Sequence, residues 1–215
     1  MSKSAALWQT IRRPLAMSLL CAGLVSSLSG CVALVAGGAI SGTLAATDRR
    51  TFGAQTEDHA IEVKGGIKLN NAIGSAGHIN INSFNRRALL TGEVRDEATR
   101  AQAEREVAGI EGVVSVINEL EIAGNSSFSS RSNDTMITTK VKASLIDRKD
   151  ISANSFQVVT ERGNVYLQGR VTQREGQIAA DIARGVSGVA KVVKVFEYIT
   201  EEEWKSFQPR PANNS

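Results

Sequence analysis

The chain has 215 residues, with 25 basic and 22 acidic side chains and 2 cysteines. The whole +3 excess falls in the first 30 residues, where Lys3, Arg12 and Arg13 have no acidic counterpart. The remainder therefore carries 22 charges of each sign, which gives no ground for a nucleic-acid partner. Cys21 lies inside that leader and Cys31 directly after it, so no disulfide, thiol chemistry or thiolate metal site is expected.

Residues 1–30 read as a secretion signal, because the basic groups precede an uncharged apolar run over 15–28. That run is shorter than the ~20 residues needed to span a bilayer. Leu28-Ser29-Gly30-Cys31 resembles the lipobox of bacterial lipoproteins, and the resemblance implies cleavage before Cys31 and acylation of its thiol and new amino group. Diacylglycerol with an amide-linked chain exceeds the two-signal requirement for stable anchoring, since each buried methylene contributes roughly 0.8 kcal/mol. Val32 rather than aspartate follows the cysteine, which by the same resemblance implies the periplasmic face of the outer membrane.

Residues 31–56 are then a membrane-proximal spacer, whose glycine-rich part over 32–47 is short for a membrane helix. Beyond it the chain repeats itself at an offset of 76 or 77. Asp58, Ile61, Lys64 and Leu69 return as Asp134, Ile137, Lys140 and Leu145; Gly92-Glu-Val94 returns as Gly169-Arg-Val171, and Gly109 to Val113 as Gly185 to Val189. Each copy, 57–122 and 134–199, reads as helix, strand, strand, helix, strand. Asp58 and Asp134 are expected to cap the first helices, with Ile61, Gly65 and Leu69 on one buried face and Ile137, Val141 and Leu145 on the other. Hairpins are expected over 78–94 and 156–171, an Asp96-capped helix to about 110, and closing strands over 113–122 and 189–199. Two helices on one face of a three-stranded sheet make an α+β fold with a small but viable core. The Gly/Ser-rich stretch 123–133 reads as a flexible linker, and 200–215 as a frayed tail, docking of Trp204 and Phe207 being the alternative.

The helix, Gly-x-Val hairpin, helix and Gly-Val strand pattern resembles the BON domain. With the lipobox, Asp48-x-Arg50 and the stretch 132–141, the mature chain up to Ile199 is similar to dual-BON outer-membrane lipoproteins. Two departures stand out: Arg86 where the family favours a turn glycine, and Met136 where its pattern carries tryptophan.

Charge divides between the copies. Residues 57–122 hold 7 basic and 11 acidic groups, whereas 131–199 hold 11 basic and 7 acidic, so an anionic surface attracts the second copy and repels the first. On the first helix of that copy, helical spacing leaves Met136, Lys140, Lys142, Ala143 and Ile146 outward or at the rim. Apolar groups beside lysines suit a lipid interface; packing of Met136 and Ile146 on the other domain or the linker is the plainer alternative. The resemblance implies binding of anionic phospholipid, phosphatidylglycerol or cardiolipin, through this helix, with Asn133, Asp134, Met136, Ile137, Lys140 and Lys142 as contact residues. It also implies a part in envelope integrity and enrichment at division sites.

No catalytic residue, cofactor or metal is expected. His59 and His78 are the only histidines, the carboxylates sit at helix starts and turns, and neither a phosphate loop nor metal-ligand spacing is present. The rival reading is a periplasmic adaptor whose flexible linker and two small sheets with free edges clamp an envelope partner, such as the machinery that assembles outer-membrane β-barrels.

Overall fold

A computed structural model describes residues 48–207; the signal, Cys31, the spacer 32–47 and residues 208–215 lie outside them. The first domain runs α1 (Phe52–Ile73), β1 (Gly77–Phe84), β2 (Arg87–Val94), α2 (Glu97–Ala108), β3 (Ser115–Asn118) and β4 (Glu121–Ile122). The second runs α3 (Phe128–Ile146), β5 (Phe156–Glu161), β6 (Asn164–Val171), α4 (Gln173–Arg184) and β7 (Lys191–Tyr198), followed by a short α5 (Glu201–Ser206).

In each domain a hairpin pairs antiparallel and the last strand lies parallel to its second arm. The closing strand of the first domain is broken: Asn118 Oδ1 accepts the Leu120 amide at 3.2 Å and Leu120 turns inward, so β3 and β4 pair separately with β2. Helices cover one face of each sheet. Ile61, Leu69, Ala88, Leu90, Val94 and Val107 form one core, and Ile137, Val141, Leu145, Val165, Leu167 and Phe196 the other. The recurring Gly-x-Val has a steric cause. A Cβ on Gly92 would stand 2.0 Å from the His78 carbonyl oxygen, and one on Gly169 2.4 Å from that of Ser155.

Helix starts differ from the expectation. Thr51 caps α1 and Ser127 caps α3, each through its hydroxyl, so both helices begin several residues before the aspartates. Asp58 and Asp134 lie inside them, buried, and their carboxylates accept backbone N–H groups of the hairpin turns. Asn85 and Arg86 donate to Asp58, and Arg162 and Gly163 to Asp134, all at 2.7–2.9 Å. Both turns hold their two central residues at positive φ, 51° and 66° in the first, 51° and 77° in the second. Arg86 therefore occupies a left-handed position that glycine fills in the second copy, and the bond from its amide to Asp58 helps to hold it there.

The expected flexible linker is short and tied down. Five residues separate β4 from α3, and the Ser126 amide donates to Glu93 Oε2 at 3.2 Å. The helix-free faces of the two sheets pack on each other through Leu89 and Ile117 against Tyr166, Val193 and Val195. Polar contacts run around this seam: Asn80 to Glu161 at 2.8 Å, Asn85 to Glu197 at 2.6 Å, Asn164 to Glu121 at 2.9 Å and Arg162 to Glu121 at 3.1 Å. The layers are helices, sheet, sheet, helices, so the helix-free faces of the two sheets are used on each other.

The frayed-tail expectation is also corrected up to Phe207. The Trp204 indole donates to Glu175 Oε1 at 2.9 Å, over a buried pair in which Arg49 meets both Glu175 oxygens at 2.7 and 2.8 Å. The chain leading into the first domain is thereby fastened to α4 of the second.

Candidate functional site

The outward face of α3 is set by its buried one. Asp134, Ile137, Val141 and Leu145 face the sheet at three- and four-residue spacing, which turns Met136, Lys140 and Ala143 to solvent. Met136 is 57% exposed and Ile146 67%, so neither is covered by the other domain or the linker. Asn133 and Lys140 are exposed on the same side.

Two of the expected contact residues, Asp134 and Ile137, are placed otherwise, and a third, Lys142, sits at the rim. Asp134 is 5% exposed with its oxygens committed to the Arg162 and Gly163 amides, so it organises the hairpin instead of meeting a ligand. Ile137 is 1% exposed and belongs to the core. Lys142 is exposed but lies on the flank, where with Thr138, Asn80 and Glu161 it lines a cavity of about 510 Å³ between the two domains.

Phe128 falls in the stretch 123–133 that reads as a linker. It is the first residue of α3 and 80% exposed, and with Met136 and Ile146 it extends the outward apolar groups along the whole helix. A serine-rich composition reads as linker, yet Ser127 is also a helix-capping residue type, and its hydroxyl accepts the Ser130 amide at 3.2 Å. Arg131, also exposed, adds a third cation to the helix beside Lys140 and Lys142.

A second cluster lies at the seam. His78 of β1, Glu93 of β2 and Glu161 of β5 each bring one ligand-type atom within 4.8 Å of the other two. Burial first of all, and then the nearby Glu93 charge, push the Glu161 carboxyl above its ordinary range against the bond it accepts from Asn80. These residues are distant in sequence, so no spacing pattern could announce them.

The BON domain model matches residues 57–124 and 133–200. The chain belongs to the BON family. Among relatives, the BON protein named Outer membrane lipoprotein DolP from Haemophilus influenzae is 38% identical over 188 residues, 86% of this chain and 97% of that one. The 21 kDa hemolysin of Actinobacillus pleuropneumoniae is 31% identical over 154 residues, covering 71% of this chain and 79% of its own. Osmotically-inducible protein Y of Escherichia coli is 31% identical over 117 residues, covering 53% and 58%. This BON chain is an outer-membrane lipoprotein. Among the described residues no helix is long and apolar enough to cross a membrane.

Proposed function

We propose that this BON lipoprotein is non-catalytic and binds anionic phospholipid, phosphatidylglycerol or cardiolipin, through the outward face of α3. The observation that carries the reading is the exposure of Phe128, Met136 and Ile146 beside Lys140 on a helix whose opposite face is fully used in the core. Burying one such side chain contributes about 1.5–3 kcal/mol, and each lysine near an anionic surface about 1 kcal/mol. These are modest terms. A covalent anchor raises the local concentration of the leaflet, so weak contacts suffice to orient the protein. Support of envelope integrity and enrichment at anionic division-site membrane belong to the same reading.

The test is sedimentation of a chain beginning at Thr47, without acyl groups, on vesicles with and without phosphatidylglycerol. Preferential binding to the anionic vesicles that is lost in Met136→Glu supports it; equal binding to neutral vesicles overturns it.

One observation favours a second role as adaptor to envelope machinery. Phe52, Val63 and Ile67 are exposed on α1 of the acidic first domain, at 85%, 49% and 59%. An apolar stripe on a domain that anionic lipid repels suits a protein surface better than a membrane. Crosslinking in cells from a photoreactive group at Val63 would identify it.

A further inference from the structure

The seam between the two BON domains brings together a donor set that lipid binding does not use. Glu93 is wholly buried, Glu161 is 6% exposed, and the His78 side chain is 29% exposed but with Nδ1 shielded from solvent and without a hydrogen-bond partner among the described residues. His78 Nδ1 stands 3.7 Å from Glu93 Oε2. Two ligands of one tetrahedral zinc ion, each about 2.1 Å from the metal, are about 3.4 Å apart, so this pair closes on an ion with a side-chain adjustment of a few tenths of an ångström.

The surroundings hold the carboxylates in place. Asn80 donates to Glu161 Oε2 at 2.8 Å, and the Ser126 amide to Glu93 Oε2 at 3.2 Å. Arg162 reaches the other Glu93 oxygen, Oε1, at 3.5 Å. Bonds of this kind fix the orientation of metal-binding carboxylates. An independent sign of an incomplete polar shell is Thr91. It is wholly buried on the same face of β2 as Glu93, paired across the strands with Asn80, and its hydroxyl has no partner among the described residues. A buried hydroxyl without a partner is costly, and a metal-bound water is one group that would satisfy it.

We propose that His78, Glu93 and Glu161 form a binding site for a divalent cation of the zinc class, which links β1 and β2 of the first domain to β5 of the second. Nitrogen and carboxylate donors suit zinc, whereas magnesium prefers an all-oxygen octahedral shell. His78 and Glu161 also line the cavity between the domains, from which a water would complete the coordination. Because the ligands come from both domains, the ion binds only the docked arrangement and stabilises it.

The test uses the mature acylated protein in detergent, stripped with chelator and titrated with zinc chloride, magnesium chloride or cobalt(II) chloride. The expected results are one zinc ion per chain, a higher thermal unfolding midpoint with zinc but not with magnesium, and visible cobalt absorption of low-symmetry coordination. His78→Ala and Glu161→Gln should each weaken zinc binding at least tenfold, while His59→Ala, altering the other histidine, leaves it unchanged. Glu161→Gln keeps the size of the side chain, and its unfolding midpoint without metal shows that it still folds. Absence of zinc binding to the unaltered protein, or equal affinity in His78→Ala and Glu161→Gln, overturns the proposal.

Discussion

Asp58 and Asp134 are one device used twice: in each domain a buried carboxylate within the first helix accepts the two backbone N–H groups at the tip of the hairpin. Each ties a helix to a turn that its sequence neighbours alone would leave strained. Removing either carboxylate leaves the two turn amides without their acceptor, at Asp58 also the Ser83 hydroxyl and the Arg50 guanidinium, and frees residues held at positive φ. Asp58→Ala and Asp134→Ala should each cost about 2–4 kcal/mol by urea unfolding, since bonds to a charged group are worth about 1.5–3 kcal/mol each and are not additive. Asp134→Ala should leave the binding-relevant charge of α3 no less positive, so any loss of vesicle binding there must follow loss of structure.

Burial pushes Glu175 up, but the bonds from Arg49 and the Thr172 backbone pull it further down, leaving it below its ordinary range. A depressed carboxyl contributes stability that is present above its unfolded value, about pH 4.3, and is lost as pH falls through the folded one. Glu175→Gln should therefore flatten the acid limb of stability against pH, measured as urea midpoints. Arg49→Ala leaves the buried carboxylate without its cation and should cost about 3–5 kcal/mol at neutral pH.

Tyr166 sits in the seam between the sheets, where burial, then the charges of Glu119 and Glu121, push its phenol up to about 12. With its folded value raised above the unfolded one near 10, the folded state holds the proton longer. Its contribution to stability is fully present below pH 10 and declines as pH rises towards 12. Spectrophotometric titration should show a late tyrosinate step that disappears in Tyr166→Phe.

On α3, Met136→Glu should abolish preference for anionic vesicles while shifting stability by no more than about 0.5 kcal/mol, because the side chain is mostly exposed and lies outside the core cluster. Met136→Trp should strengthen binding, since tryptophan favours the headgroup region. Lys140→Glu should weaken binding most at low salt. Parallel vesicle and unfolding measurements separate a surface effect from a structural one.

The residues themselves carried the lipobox, the repeat, the order of elements and the buried stripe Ile137, Val141 and Leu145, because periodicity and turn chemistry are local properties of a chain. They also carried the outward placement of Met136 and Lys140, which follows once the opposite face is known. Tertiary structure decided what local pattern leaves open. Aspartates that resemble helix caps became turn clamps because a hairpin distant in sequence brings its amides to them. A serine-rich linker became the first turn of α3, and Trp204 found Glu175, because only the folded chain supplies those partners. The packing of the two sheets, and with it the meeting of His78, Glu93 and Glu161, depends on which face each sheet leaves uncovered by helices, a three-dimensional fact with no signature in residue spacing.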